Sequence, residues 1–297
     1  MKILVTGAAG QLGYDLIREL KTRGHETIGT DLKSGEDIVP ADITDKNAVR
    51  ALIMSNEPDA VVHCASWTQV DAAEEPGNTQ KVYDINVNGT ANIADICAQA
   101  GIKLMYISTD YVFDGEKGSP YETGDLPRGL GMYGLTKAFG ETEVAGKCRR
   151  YFTVRISGVF GEHGQNFVKT MLRLAGERER ISVVNDQVFS PTYTVDLSGL
   201  LADMIETDRF GTYHATNEGF CSWYDFAKEI MRQGKALGIP GCDPDKIQPT
   251  DTASYNSRAR RPLDSRLSKD CLEKNGFKRL PAWQDALGRF LEHYTGA

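Results

Sequence analysis

Tyr133 and Lys137 stand four residues apart in "MYGLTK", at the start of a stretch with helical character. Residues i and i+4 share a helix face, so the two side chains reach one place. A phenol beside an ammonium can donate a proton to a carbonyl, because the positive charge favours phenolate and lowers the tyrosine pKa. An amphipathic surface helix also carries such pairs by chance, so the pair gains meaning only from its neighbours. Upstream, "STDYVFDG" puts Ser108, Thr109 and Asp110 at the end of an apolar run. A hydroxyl there can orient a carbonyl, although a simple Ser/Thr turn uses the same residues. Near the start, "TGAAGQLG" spaces Gly7, Gly10 and Gly13 as G-x-x-G-x-x-G. In that pattern the first glycine permits a tight turn and the second lets the backbone approach a pyrophosphate. The third lets the next helix pack close. The free N–H groups of the helix start then face the phosphates.

These residues need elements to hold them. Residues 2–6 form an apolar run ending at a glycine, which reads as a buried parallel strand. Residues 11–23 have helical period, with Leu12, Leu16, Ile17 and Leu20 on one face. Further strands are expected over 25–31, 59–65, 103–109 and 151–157. Helices are expected over 45–55 (with Thr44 as N-cap), 78–100 and 133–146. This alternation predicts an α/β fold, a Rossmann-type doubly wound parallel sheet with a smaller C-terminal α/β substrate-binding lobe. The division falls at 1–158 for the NAD(P)-binding domain and 159–297 mainly for the lobe, with later segments interleaved.

Ligands of such sheets bind beyond the carboxyl ends of the strands. Asp31 ends the second strand, where a carboxylate accepts from adenosine ribose hydroxyls and favours NADH. Lys33 stands near enough to offset that charge, so NADPH stays open too. Asp42 and Ile43 suit the adenine, Asp for its amino group and Ile for its face; for Asp42 a helix-initiating turn is an equal reading. Small Ala65 and Ser66 let the cofactor lie close, and Gln11, Leu12 and Thr68 complete its expected contacts.

The composition is that of an ordinary globular protein: 297 residues, 40% hydrophobic, 25% charged, net charge −7. Such an acidic balance argues against nucleic acid or an anionic membrane as the main partner. No apolar run is long enough to span a membrane, and no signal-peptide pattern precedes the first strand. The six cysteines show neither C-x-x-C nor metal spacing, which predicts free thiols in a reducing cytoplasm.

With the glycine loop, a Ser/Thr after the fourth strand and Tyr-x-x-x-Lys, the chain resembles the extended short-chain dehydrogenase/reductase superfamily. Asn86 in "INVNGT" adds to that likeness. Dehydratases of the superfamily usually show Thr-Asp-Glu, whereas here Tyr111 follows Asp110. "STDYVFDG", "HCASWTQVDAAE", "SPTYTVDL", "WYDFAKEI" and "ARRPLDSRLS" instead resemble the dTDP-4-dehydrorhamnose reductases, over nearly the whole chain. The resemblance implies an NADPH- or NADH-dependent reduction of the 4-keto group of dTDP-4-dehydro-6-deoxy-L-mannose to dTDP-L-rhamnose, for cell-surface polysaccharide. Tyr133 would give the proton, Lys137 would lower its pKa and hold the nicotinamide ribose, and Thr109 would orient the carbonyl. Asp110, Gly158, Asn166, Gln187, Arg258 and Arg261, with Arg260 beside them, would contact the nucleotide sugar. Trp223 is expected to pack the lobe. The chain departs from the family in "DLPRGLGM", which lacks the usual proline four residues before Tyr133, and at two further positions. Gly158 in "RISGVFG" replaces a tryptophan, and Phe189 replaces a glycine before "SPT". The two changes are expected to compensate in space. Some relatives dimerise around Mg²⁺ held by carboxylates; Val195 at the matching position speaks against a metal here. A monomer and a homodimer are equally compatible with the chain. Two alternatives stay open at this stage. One is another nucleotide-sugar 4-epimerase or ketoreductase. The other is a non-catalytic NAD(P)-binding subunit, such as the one regulating methionine adenosyltransferase.

Overall fold

The computed structural model describes residues 1–35, 37–255 and 257–294. A central sheet of seven strands comprises β1 (Lys2–Thr6), β2 (Glu26–Asp31), β3 (Ile38–Pro40), β4 (Ala60–His63), β5 (Lys103–Thr109), β6 (Tyr151–Ile156) and β7 (Gly211–His214). Their spatial order is β7-β6-β5-β4-β1-β2-β3, and every pairing is parallel. The order reverses between β1 and β4, which is where a doubly wound sheet opens its binding crevice. Strand side chains alternate between faces. Ile3, Val5, Met105 and Ile107 enter one core layer, and Leu4, Leu104 and Tyr106 enter the other. Each fully buried aliphatic side chain there contributes roughly 1.5–3 kcal/mol.

The helices that matter are α1 (Gln11–Thr22), α2 (Lys46–Asn56), α3 (Thr90–Ala100), α4 (Met132–Lys147), α5 (Phe167–Glu177), α6 (Thr194–Ile205), α7 (Trp223–Ala236) and α8 (Trp283–His293). Helix α2 starts one residue later than expected. Its N-cap is Asp45, not Thr44: the Asp45 carboxylate accepts from the backbone N–H of Asn47 at 2.9 Å and of Ala48 at 3.1 Å. The long helix expected over 78–100 is interrupted by a π-helical turn, Asp84–Gly89. Within that turn Asn86 accepts from the Trp67 N–H at 2.8 Å and donates to Thr136 Oγ1 at 3.1 Å.

The second half of the chain does not form a separate block. Helix α6 packs on α1, and β7 joins the central sheet beside β6. The remaining segments make a lobe of three two-stranded pairings, 159–160 with 192–193, 188–189 with 221–222, and 181–184 with 247–250. Helices α5, α7 and α8 enclose a core of Phe160, Phe226, Trp283 and Phe290. No described helix is long and apolar enough to cross a membrane.

Candidate active site

One cavity of about 1130 Å³ runs across the carboxyl ends of the strands. That exceeds the roughly 300–1,000 Å³ usual for one small ligand, so two ligands can share it. Every residue expected to bind cofactor stands in its wall: Gly7, Gly10, Gln11, Leu12, Gly13, Asp31, Asp42, Ile43, Ala65, Ser66, Thr68, Tyr133 and Lys137. So do Thr109, Asp110, Gly158 and Gln187.

The glycine end is made of backbone. Gly7 has φ +67°, and a β-carbon on it would lie 2.7 Å from Ala65 N. A β-carbon on Gly13 would lie 2.2 Å from the Gly7 carbonyl oxygen and 2.9 Å from Ala8 Cα. Gly13 therefore lets α1 close on the loop itself rather than on the sheet. Gly10 is exposed at the N-cap of α1, with no side-chain cap to cover the first N–H groups. This is a cradle fitted to a pyrophosphate. The Asp31 carboxylate accepts from Leu32 N at 2.8 Å and Ala9 N at 3.2 Å, which ties the end of β2 to the loop. Asp42 accepts from the N–H and hydroxyl of Thr44 at 2.9 and 2.8 Å, so it makes the turn before α2 while standing in the cavity wall.

The centre is polar and buried. Thr109 Oγ1 donates to Asp110 Oδ1 at 3.0 Å. Asp110 Oδ2 accepts from Ser157 Oγ and Ser265 Oγ, both at 2.6 Å. One carboxylate thus joins the loops after β5 and β6 to the 262–268 segment. Burial pushes the Asp110 carboxyl up to about 6, against the pull of those hydroxyls. Burial also pushes the Tyr133 phenol up to about 12, and the Thr109 hydroxyl beside it pulls the other way. The expected lowering of Tyr133 by Lys137 is absent. The Lys137 ammonium donates instead to the Ile107 carbonyl at 2.7 Å and lies 4.1 Å from the Tyr106 ring centre. Its own pKa is drawn down to about 7 by burial.

The far end is made of side chains. Gly158 has φ +51°, and a β-carbon on it would lie 2.1 Å from Phe189 Cε2. The Phe189 ring fills the space into which a side chain at 158 would project. It stacks on Trp223 at 3.9 Å and 22°. Trp223 packs the lobe and also lines the cavity. Gln187 donates to Thr252 Oγ1 at 2.9 Å.

Three expected substrate residues stand elsewhere. Asn166 caps α5, accepting from Lys169 N at 3.0 Å. It donates to Gln11 Oε1 at 2.7 Å and the Gly161 carbonyl at 2.8 Å, so its polar groups are occupied. Arg258 pairs with Glu75 at 2.6 Å and Arg261 with Asp71 at 2.7 Å. Both guanidiniums are held on the acidic stretch 71–75, while Pro262 and Ser265 of the same segment stand in the cavity wall. Ser157 and Ser265 were missed by the sequence reading. Ser157 directly follows a strand, a position where ligand-facing residues concentrate; nothing local marks Ser265.

Residues 1–295 match the family described as the RmlD substrate binding domain. The chain is 36% identical over 296 residues to the spore coat polysaccharide biosynthesis protein SpsK of Bacillus subtilis, covering 100% of this chain and 99% of that one. It is 36% identical to a dTDP-4-dehydrorhamnose reductase of Aggregatibacter actinomycetemcomitans, covering 96% and 97%. A crystal structure of dTDP-4-dehydrorhamnose reductase from Bacillus anthracis in complex with NADP superposes with a TM-score of 0.90. Its sequence is 38% identical, and 99% of each chain is covered.

Proposed function

The chain belongs to the family of the RmlD substrate binding domain, and from that membership we propose that it is an NAD(P)H-dependent reductase of a 4-keto nucleotide sugar. The substrate is dTDP-4-dehydro-6-deoxy-L-mannose and the product dTDP-L-rhamnose, for cell-surface polysaccharide. The observation that carries this reading is the convergence of Thr109, Tyr133 and Lys137 at the middle of one cavity. A dinucleotide cradle lies at one end and an aromatic and polar wall at the other.

Reduced nicotinamide supplies the hydride for the C4 carbonyl carbon when bound. The Gly7–Gly13 loop holds the pyrophosphate on the N-terminus of α1, and Asp31 takes the adenosine ribose. Thr109 turns its hydroxyl from Asp110 to donate a hydrogen bond to the C4 oxygen and fixes its direction. Tyr133 gives that oxygen a proton as charge develops on it. A phenol that burial keeps protonated is suited to donate rather than to accept. Lys137 holds the nicotinamide ribose. Gln187, Phe189 and Trp223 bound the sugar. Arg258 and Arg261 reach a diphosphate by exchanging Glu75 and Asp71 for it, a swap of one anion for another. The six free cysteines and a nucleotide-sugar substrate fit a cytoplasmic enzyme.

The deciding experiment follows loss of reduced-nicotinamide absorbance with NADPH and with NADH, using freshly made dTDP-4-dehydrorhamnose. A second arm uses dTDP-4-keto-6-deoxy-D-glucose, because the Gly158–Phe189 exchange alters the sugar wall. Fast oxidation with the first substrate supports the reading. Oxidation with the second alone moves the substrate to the other sugar. No oxidation with either, with cofactor binding intact, removes the reductase assignment.

A further inference from the structure

Tyr133, Lys137 and Glu141 recur every four residues along one face of α4. The first two line the cavity. Glu141 does not; it is 8% exposed, between α4 and the sheet. Its Oε1 accepts from Ser108 Oγ at 2.5 Å and from Arg155 Nε at 2.9 Å, and its Oε2 from an Arg155 terminal nitrogen at 2.7 Å. Ser108 lies between Thr109 and Ile107, whose carbonyl accepts from Lys137. Arg155 is fixed in turn. Its other terminal nitrogen donates to the Thr123 carbonyl and to His214 Nε2, both at 3.3 Å. A guanidinium only donates, so His214 Nε2 accepts and the imidazole proton sits on Nδ1, 3.0 Å from the Ser268 carbonyl.

A buried ammonium needs a counter-charge. The titratable groups that face Lys137 are His63 and Cys64 at the end of β4, Tyr106 on β5, and Tyr133 and Glu141 on its own helix. Burial keeps His63 neutral, with its pKa near 3, and keeps the Cys64 thiol protonated up to about 12. It holds the Tyr106 phenol protonated as well. Among the described residues, Glu141 is the anion left; it pairs directly with Arg155 and acts on Lys137 through space, from one helical turn away. We propose that Glu141 is a positioning residue of the reduction: its carboxylate, clamped by Arg155 and Ser108, is the counter-charge of the Lys137 ammonium and fixes α4 against the end of β5. The proposal rests on the reductase reading for its kinetic consequence. After burial, Glu141 is the next influence on Lys137 and pushes its pKa back up. Neutralising Glu141 lets the ammonium lose its proton at lower pH.

The test measures kcat against pH at saturating substrates for the wild type, Glu141→Gln and Glu141→Asp. NADPH affinity is titrated by tryptophan fluorescence over the same pH range. The alkaline limb of Glu141→Gln is expected to move acidward by about one unit, the smaller end of what one nearby charge does. NADPH binding should weaken at the same lower pH. Glu141→Asp, with its carboxylate set back by one methylene, should fall between the two. A limb at the wild-type position, whatever the rate, overturns the proposal and leaves a purely structural ion pair. If Glu141→Gln does not fold, the Glu141→Asp limb decides by the same criterion. A wild type without turnover would instead sink the reductase reading, and the pH dependence of NADPH binding would still judge the counter-charge.

Discussion

The two ends of the cleft are built of different material. At the glycine end, the atoms that would meet an added β-carbon are backbone: Gly7 O, Ala8 Cα, Ala65 N. They are held by β1, β4 and α1 and cannot move without moving the sheet. At the far end, the obstacle at Gly158 is the edge of one ring, Phe189, stacked on another, Trp223. Phe189 belongs to a pairing only two residues long, and Trp223 opens α7 directly after the partner strand. The first wall is rigid and made of backbone, suited to a dinucleotide pyrophosphate. The second is side-chain packing, which can be exchanged piece by piece, as at 158 and 189 where one ring fills the space beside a glycine. Thr109, Asp110, Tyr133 and Lys137 sit at the seam.

Substitutions along the cleft turn this contrast into measurements. The largest effect belongs to the seam. Tyr133→Phe should lower turnover by roughly 10²–10⁴-fold while NADPH affinity stays near wild type; an unchanged kcat would remove the phenol from the chemistry. Asp110 comes next, because it binds hydroxyls from both sides of the seam. Its carboxyl is raised from 3.8 to about 6 in the fold. The native state therefore binds the proton more tightly than the unfolded chain. The resulting stability is full below the unfolded value and is lost as pH rises through about 6. Urea unfolding of wild type and Asp110→Asn at several pH values should show the wild type losing on the order of 3 kcal/mol relative to the variant over that window. A flat difference would mean that the carboxyl is ionised in the native state throughout.

Gly13→Ala probes the rigid wall. It should cost about 1–3 kcal/mol of stability and abolish NADPH binding in a fluorescence titration. Wild-type affinity in that variant would break the contrast. The softer wall is tested by a double-mutant cycle. Gly158→Ala alone strains a positive-φ backbone and strikes Phe189, and removing the ring with Phe189→Ala should recover part of the loss. A coupling of about 1 kcal/mol is expected. Strict additivity would show that the ring does not own the space at 158.

What was legible in the sequence follows the same division. The strand–loop–helix at residues 2–22 depends on local spacing, so the glycines declare it. Tyr133 and Lys137 fall on one helix face by period alone. The ion pairs of Arg258 and Arg261 and the capping role of Asn166 were not foreseen because their partners are distant or generic. Asp71 lies far back in the chain, and an asparagine before a helix serves as a cap as readily as a ligand. Lys137 was expected to act on Tyr133, but the pull of the Ile107 carbonyl and the Tyr106 face has no signature in sequence. Thr44 and Asp45 are neighbouring residues that both cap helices, and only the dihedrals choose between them. The π-turn at 84–89 leaves the apolar pattern intact and so left no trace.

The order of synthesis meets a difficulty in the position of β7. Strand β6 is complete at Ile156, but its outer edge is covered only by residues 211–214. A ribosome adding about 5–20 residues per second leaves that edge open for several seconds. During this time the unpaired N–H and C=O groups of an apolar strand are available to any other chain. The nascent protein is most exposed to mispairing while its cofactor loop is already formed.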